Sequence, residues 1–299
     1  MWQVRASYDQ KPYRRAMMEV FGSTVHRQPS RPDRGRSEDP RERSRQSRVA
    51  SASPSARRSR WRPATTRPAT ALGSVLNHVL LHQTVIGQEA IEQLEQTGDT
   101  PDLVVGCIGG GSNFAGLSFP FIRENLAGRL DARILGVEPA ACPTLTRGIY
   151  AYDFGDTAGM TPLMKMHTLG HDFVPDPIHA GGLRYHGMSP LISHLATSRV
   201  CSRPWRVPQS ECFEAGVQFA RTEGIVPAPE PTHALALAAR EAKRCAETGE
   251  EKVILTALCG HGLLDLAAYD KYLAGEVEDL EHPQARIEDA LTRLPAGDL

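Results

Sequence analysis

The sequence lacks several features that would assign it to a class at once. No stretch approaches the roughly 18 uninterrupted apolar residues of a membrane span, and the first residues lack the apolar core of a signal peptide. The six cysteines form no CxxC pair and stand far apart in mostly apolar surroundings, which favours buried thiols over disulfides or a zinc site. We therefore expect a cytoplasmic protein without a metal.

Lysine is also scarce, and the total charge is close to balanced. The 299 residues carry a formal net charge of −1, which by itself indicates neither a nucleic-acid nor a membrane partner. A chain of this length can bury the core of one large or two medium domains. The lysines are Lys11, Lys165, Lys243, Lys252 and Lys271.

The amino-acid composition of the chain changes after residue 28 and again after residue 70. Residues 1–28 favour a turn over residues 8–12, a helix from about Tyr13 to Val20 and a stop at Gly22. Residues 29–70 are rich in arginine, proline and serine and almost free of aliphatic side chains, which predicts disorder. Three interpretations of this segment remain open: a solvated linker, an arginine-rich nucleic-acid tail, or a stretch read out of its frame. We do not expect a nucleic-acid partner.

Residues 71–275 alternate between helical and strand-like patterns. Helical spacing of apolar residues predicts one long helix over residues 74–98, and further helices over 113–128, 210–224 and 232–249. Short, nearly continuous apolar runs predict buried strands within residues 102–110 and 132–139, and residues 252–262 predict a strand that runs into a glycine-bearing loop. This alternation predicts an α/β fold with a largely parallel sheet flanked by helices. The acidic residues 276–299 favour a helix packed on the surface.

A run of three glycines lies between the first strand and its helix. Bare backbone at residues 109–111 lets N–H groups approach an anion at the positive end of a helix, and Ser112 and Asn113 add side-chain donors. A phosphate is the predicted ligand. Ligands of parallel sheets gather at the carboxyl ends of strands, so we expect Glu138 and residues 259–261 on the same rim.

Two better-known nucleotide loops fit these glycines less well. A P-loop requires Gly-Lys-Ser/Thr, and no lysine follows the glycines. A dinucleotide loop requires Gly-x-Gly-x-x-Gly, a spacing that Gly109, Gly111 and Gly116 do not keep, although Glu138 stands where a ribose-binding acid would. The dinucleotide alternative and a glycine turn without ligand both remain open.

Five motifs in order carry a resemblance to a known family. They are SYDQKPYRR, CIGGGSNFAG, GLRYHGMSP, GIVPAPEPTHALA and LCGHG. Together they resemble the pyridoxal-phosphate-dependent tryptophan synthase beta chain in its second, longer type, over residues 3–28 and 72–275. The resemblance implies a fold type II enzyme that joins indole to L-serine, with release of water, to form L-tryptophan in amino-acid biosynthesis.

The resemblance also implies roles for individual residues. The cofactor phosphate would lie in a cup formed by Gly109, Gly110, Gly111, Ser112 and Asn113. Beside the cofactor ring would lie Glu230, Cys259 at the pyridine nitrogen, Gly260 and His261, with Arg184 and His186 on the rim. Alternatives stay open: Glu230 as an exposed loop acid, Cys259 as a core thiol, and each histidine as a structural residue.

The family's cofactor lysine has no counterpart among the five lysines of this chain. None stands in the His-Lys context where the family forms its imine with pyridoxal phosphate. We expect that lysine, the catalytic glutamate and the carboxylate-gripping loop to be missing, so that no catalytic residue can be assigned here. The sequence thus predicts a remnant of the small domain (residues 1–28), a disordered segment for which a shifted reading frame is one explanation (29–70), a large cofactor domain (71–275) and an acidic helical tail (276–299).

Little or no turnover is the consequence we expect from these absences. The family implies a homodimer without a tightly bound alpha chain. Two other classes of protein remain open: another amino-acid synthase of the same fold type, and a non-enzymatic protein that binds phosphate or nucleic acid.

Overall fold

A four-stranded parallel sheet organises the computed structural model, which describes residues 1–3, 5–27, 74–157, 159, 161–198, 200–280 and 284–295. Its strands are β3 (Leu103–Cys107), β4 (Arg133–Pro139), β7 (Trp205–Val207) and β8 (Ile254–Thr256). They lie in the order β7-β4-β3-β8. The predicted α/β fold with a parallel sheet is confirmed.

Helices cover both faces of this sheet. On one side lie α3 (Asn77–Gln83), α4 (Val85–Thr97) and α5 (Ser112–Leu126). On the other side lie α8 (Gln209–Glu223) and α9 (Thr232–Thr248). Strand β3 is buried throughout. Its consecutive residues Val104 and Val105 pack into the cores on opposite faces of the sheet, because successive side chains of a strand point to opposite faces. This double burial explains the apolar run in the sequence.

The remaining elements surround the sheet. They are β1 (Trp2–Gln3), α1 (Arg5–Gln10), α2 (Pro12–Val20), β2 (His26–Arg27), α6 (Thr144–Arg147), β5 (Ile149–Phe154), β6 (Leu163–Thr168), α7 (Pro190–Thr197), α10 (Leu266–Leu273) and α11 (Gln284–Leu291). Strands β1 and β2 pair in parallel, whereas β5 and β6 form an antiparallel pair. Gly181–Leu183 form a single turn of 3-10 helix.

Two local predictions are wrong. The expected single helix over residues 74–98 is two helices that meet at Thr84, whose Oγ1 donates to the Leu81 carbonyl at 2.6 Å. That side-chain bond competes with the backbone ladder. The expected turn over residues 8–12 is mostly helix α1, and only Lys11 separates α1 from α2. Pro12 disfavours a helical conformation at the residue before it and suits the start of the next helix.

The C-terminal helix packs on the protein surface, as its position in the acidic tail predicts. Ile287 and Ala290 of α11 are buried against Leu169 and Phe173. The predicted disordered segment, residues 29–70, lies outside the described residues. Within the described part of the chain no helix is long and apolar enough to cross a membrane.

Candidate functional site

Four loops meet beside the carboxyl ends of β3 and β8. We call them the loop ring: residues 108–111, 181–183, 226–230 and 259–262. A Cβ on Gly109 would lie 2.7 Å from the Gly182 carbonyl oxygen, and the Gly182 N–H donates to Glu230 Oε1 at 2.9 Å. The Ala228 N–H donates to the Gly260 carbonyl at 2.9 Å, which joins the third loop to the fourth. The ring closes where Cys259 Sγ lies 3.6 Å from Cys107 Sγ, at the end of β3.

The three glycines allow other segments to approach the start of α5. A Cβ on Gly110 would lie 1.9 Å from Ser74 Oγ, and one on Gly111 would lie 2.7 Å from Ser189 Oγ. Gly111 also has a φ of 110°, which side-chain-bearing residues rarely adopt. The glycines therefore serve close packing as well as exposure of the backbone.

The start of α5 is a favourable place for an anion. The first N–H groups of a helix have no partner within the helix, and the helix dipole is positive there. One of them, the N–H of the buried Ser112, donates to the Ser74 carbonyl at 2.9 Å. Ser74 is not among the predicted site residues, although it lies near the start of the second range of the resemblance, residues 72–275. The donor chemistry of this turn fits a phosphate.

Glu230 belongs to the loop ring through its side chain. Its carboxylate accepts the Gly182 N–H and lies 3.8 Å from Lys11 Nζ, and the side chain is 16% exposed. These contacts argue against the alternative that Glu230 is an exposed acid on a loop. They also hold the carboxylate in one place within the loop ring.

Lys11 is a site residue that the sequence analysis missed. It lies between α1 and α2, yet only 7% of it is exposed, and its Nζ lies 2.9 Å from Asp265 Oδ1. Arg14 NH2 lies 2.5 Å from the second oxygen of the same carboxylate. The only signal in the sequence is the placement of Lys11 in the SYDQKPYRR motif, which cannot show that Asp265 lies beside it.

The other four lysines lie away from the loop ring. Lys165 Nζ lies over the rings of Tyr150 and Tyr152, 5.3 Å and 5.5 Å from their centroids. Lys252 pairs with Glu250 at 3.0 Å. The remaining two, Lys243 and Lys271, are exposed on α9 and α10. Lys11 is thus the lysine whose ammonium group contacts a residue of the ring.

Glu138 does not line the rim, and that expectation is wrong. The residue is 1% exposed and accepts the N–H groups of Leu145 at 2.8 Å and Thr146 at 2.9 Å. Burial raises the pKa of its carboxyl to about 7. Because these contacts occupy both oxygens, Glu138 supports the start of α6, and the dinucleotide alternative loses its ribose-binding acid.

The three predicted rim residues have different surroundings. His186 is buried with its Nε2 2.9 Å from the Phe154 carbonyl, and burial lowers its pKa, which supports the structural alternative. Arg184 donates to Ser7 Oγ at 2.8 Å and so connects the ring to α1. His261 lies in the ring, pairs through its backbone with Pro227, and is exposed.

Comparison with known proteins shows the family of this chain. The model of a family described as pyridoxal-phosphate dependent enzyme matches residues 4–260, and the chain belongs to that family. Similar curated proteins include tryptophan synthase beta chain 2 of Aquifex aeolicus, 54% identical over 93% of this chain and 64% of the relative. The protein of the same name from Methanothermobacter thermautotrophicus is 51% identical over 93% of this chain and 64% of the relative. The chain therefore spans just under two thirds of the length of these relatives.

Proposed function

We propose that this chain binds pyridoxal phosphate in the loop ring, and that the reaction it belongs to joins L-serine to indole to form L-tryptophan and water. The observation that carries the proposal is the ring itself. It brings the glycine loop together with Glu230 and Cys259, each more than 100 residues further along the sequence, in a chain half identical to two tryptophan synthase beta chains. Its partners would be these two substrates and a second copy of the chain.

Each residue has a defined task under this proposal. The first turn of α5, with Ser112 and Asn113, would bind the phosphate. Cys259 would offer the pyridine nitrogen a thiol, and Glu230 would lie at the side of the cofactor ring. When bound, pyridoxal phosphate supplies an electron sink for a carbanion at the amino-acid Cα. Gly182 holds the Glu230 carboxylate for that task.

Turnover by this chain alone should be low. Enzymes of this kind use a lysine amine as nucleophile and proton carrier. Lys11 is the lysine nearest to the ring, and its ammonium is held by Asp265 and Glu230. Both partners are carboxylates, and this ion pairing suits a structural role better than the role of a nucleophile. Purified chain incubated with indole, L-serine and pyridoxal phosphate should form no tryptophan above buffer, and robust formation would show that this expectation is wrong. Serine consumption without indole would favour another amino-acid synthase.

Cofactor binding can be tested separately from turnover. Asn113→Asp places a carboxylate in the first turn of α5, where it repels a phosphate but suits the helix dipole. We expect the dissociation constant for pyridoxal phosphate, measured by fluorescence titration, to rise about tenfold or more.

The matched control for this titration is Asn77→Asp. It makes the same change at the first residue of α3, on an exposed side chain. Equal affinities of wild type, Asn113→Asp and the control would overturn the assignment of the phosphate to this turn.

A further inference from the structure

Two thiols lie side by side at the wall of the loop ring. Cys107 Sγ and Cys259 Sγ are 3.6 Å apart, although 152 residues separate them in the sequence. Cys107 is 3% exposed, whereas Cys259 is exposed. All six cysteines are free thiols. One member of the pair is therefore open to a reagent in solution, and the other is sheltered directly behind it.

The backbone around the pair can bring the two sulfurs into bonding distance. Cys107 ends β3, and Cys259 follows β8, the parallel neighbour of β3, by three residues. Neighbouring strands lie about 4.8 Å apart, which is compatible with the Cα separations of disulfides. The sulfurs must approach by about 1.5 Å to reach disulfide length. Because Cys259 lies in a loop, that movement need not break a sheet hydrogen bond.

The two thiols also differ in acidity. The hydrogen bond with Cys259, together with burial, raises the pKa of Cys107 well above its ordinary value. The hydrogen bond with Cys107 lowers the pKa of Cys259. Both directions favour Cys107 as the hydrogen-bond donor and Cys259 as the member of the pair that loses its proton more readily. The thiolate is the reactive form of cysteine, so the exposed member is also the one that forms it more readily.

We propose that Cys259 and Cys107 form a redox modification site, in which a hydroperoxide oxidises Cys259 and Cys107 resolves the product as a disulfide. The Cys259 thiolate attacks one oxygen of hydrogen peroxide, so that an S–O bond forms, the O–O bond breaks and hydroxide leaves. The Cys107 sulfur then attacks Cys259, the S–S bond forms, the S–O bond breaks, and the released hydroxyl takes the Cys107 proton to give water. Two sulfurs are oxidised and one peroxide is reduced.

The disulfide would change the loop ring directly. Cys259 would lose its thiol and move toward β3, and Asn113, whose Nδ2 donates to Cys107 Sγ at 3.6 Å, would lose that acceptor geometry. The effect on cofactor binding rests on the proposed function. The thiol chemistry does not, because it requires no cofactor and can be measured in its absence.

Peptide mapping of the full chain after peroxide treatment tests this proposal. Remaining thiols are alkylated, the protein is digested without reduction, and cross-linked peptides are identified by mass spectrometry. We expect a Cys107–Cys259 cross-link that disappears with dithiothreitol. In the Cys107→Ser variant, Cys259 should stop at the sulfenic acid and become labelled by dimedone, with loss of the cross-link.

Cys245→Ser provides the matched control, because Cys245 is a partly exposed thiol on α9 away from the ring. This variant should form the cross-link at the wild-type rate. The proposal is overturned if wild-type Cys259 accumulates as sulfinic acid while Cys107 remains a free thiol, or if Cys107 and Cys259 cross-link to other cysteines instead. Since the wild-type map needs no variant, a variant that fails to fold leaves the result intact.

Discussion

At the residue scale, Glu138 shows how a buried acid couples stability to pH. Desolvation raises the pKa of its carboxyl from 4.5 to about 7, despite the N–H groups of Leu145 and Thr146 that donate to it. Between these pH values the folded state keeps the proton that the unfolded state releases. The stabilising effect of protonation is complete below about pH 4.5 and is lost as pH rises to about 7.

We therefore expect Glu138→Gln to flatten the dependence of stability on pH. One pKa unit corresponds to about 1.4 kcal/mol, so wild type should lose on the order of 3 kcal/mol more than the variant between pH 4.5 and pH 8. Urea unfolding at several pH values measures this difference. The exposed Glu223, changed to Gln, provides the control and should keep the wild-type slope. Parallel slopes in wild type and Glu138→Gln would contradict the expectation.

At the element scale, helix α5 depends on how its first turn is built. Gly111 precedes the helix with a φ of 110°, and its missing Cβ leaves room for Ser189, whose Oγ accepts the Ile192 N–H at the start of α7. The missing side chain of Gly111 is therefore needed at the starts of both α5 and α7. An alanine there would meet both the backbone strain and the Ser189 hydroxyl.

Gly111→Ala should lower the free energy of unfolding by about 3 kcal/mol, the sum of backbone strain and a displaced helix cap. Gly128, which follows the other end of α5, has a φ of 68° and no atom within 4 Å of its missing Cβ. Gly128→Ala thus carries the strain alone and should cost about 1 kcal/mol. Chemical denaturation of both variants measures the difference, and equal losses would show that close packing at Gly111 contributes nothing.

At the scale of the whole molecule, an ion-pair cluster attaches the N-terminal helices to the sheet domain. Asp265 accepts from Lys11 and Arg14, and its side chain is 1% exposed. Arg184 reaches Ser7, and Gln10 donates to the Pro177 carbonyl at 3.0 Å. Because Lys11 also lies beside Glu230, the attachment and the candidate site share one charged group.

Asp265→Asn should release this attachment by leaving the Lys11 ammonium buried without its main partner. Removal of one member of a buried pair costs about 3–5 kcal/mol. Hydrogen exchange of residues 5–20 should accelerate in the variant, and Lys11→Met in the same chain should restore part of the protection. The exposed pair of Asp9 and Arg27 serves as control, since Asp9→Asn should cost less than about 1 kcal/mol. Unchanged exchange in Asp265→Asn would contradict the proposed attachment.

The sequence predicts the sheet core well because its signals are local. A strand buried on both faces must be apolar throughout, as β3 is, and a loop with three glycines before a helix has few other uses. It predicts the junction at Thr84 poorly, since that break depends on one side-chain hydrogen bond within a continuous helical pattern. The prediction that Glu138 lines the rim is wrong because its position at the end of a strand does not show which neighbouring groups its carboxylate contacts.

By itself, the sequence determined the α/β class, the glycine loop at the start of α5, and the five motifs that indicated the family, since each follows from residues adjacent in the chain. Only the tertiary structure decided that Lys11 lies against Asp265 and Glu230, and that Cys107 lies against Cys259. The physical reason is the same in both cases. Distant residues become neighbours through the packing of whole elements, and no periodicity or spacing along the chain records which of them will meet.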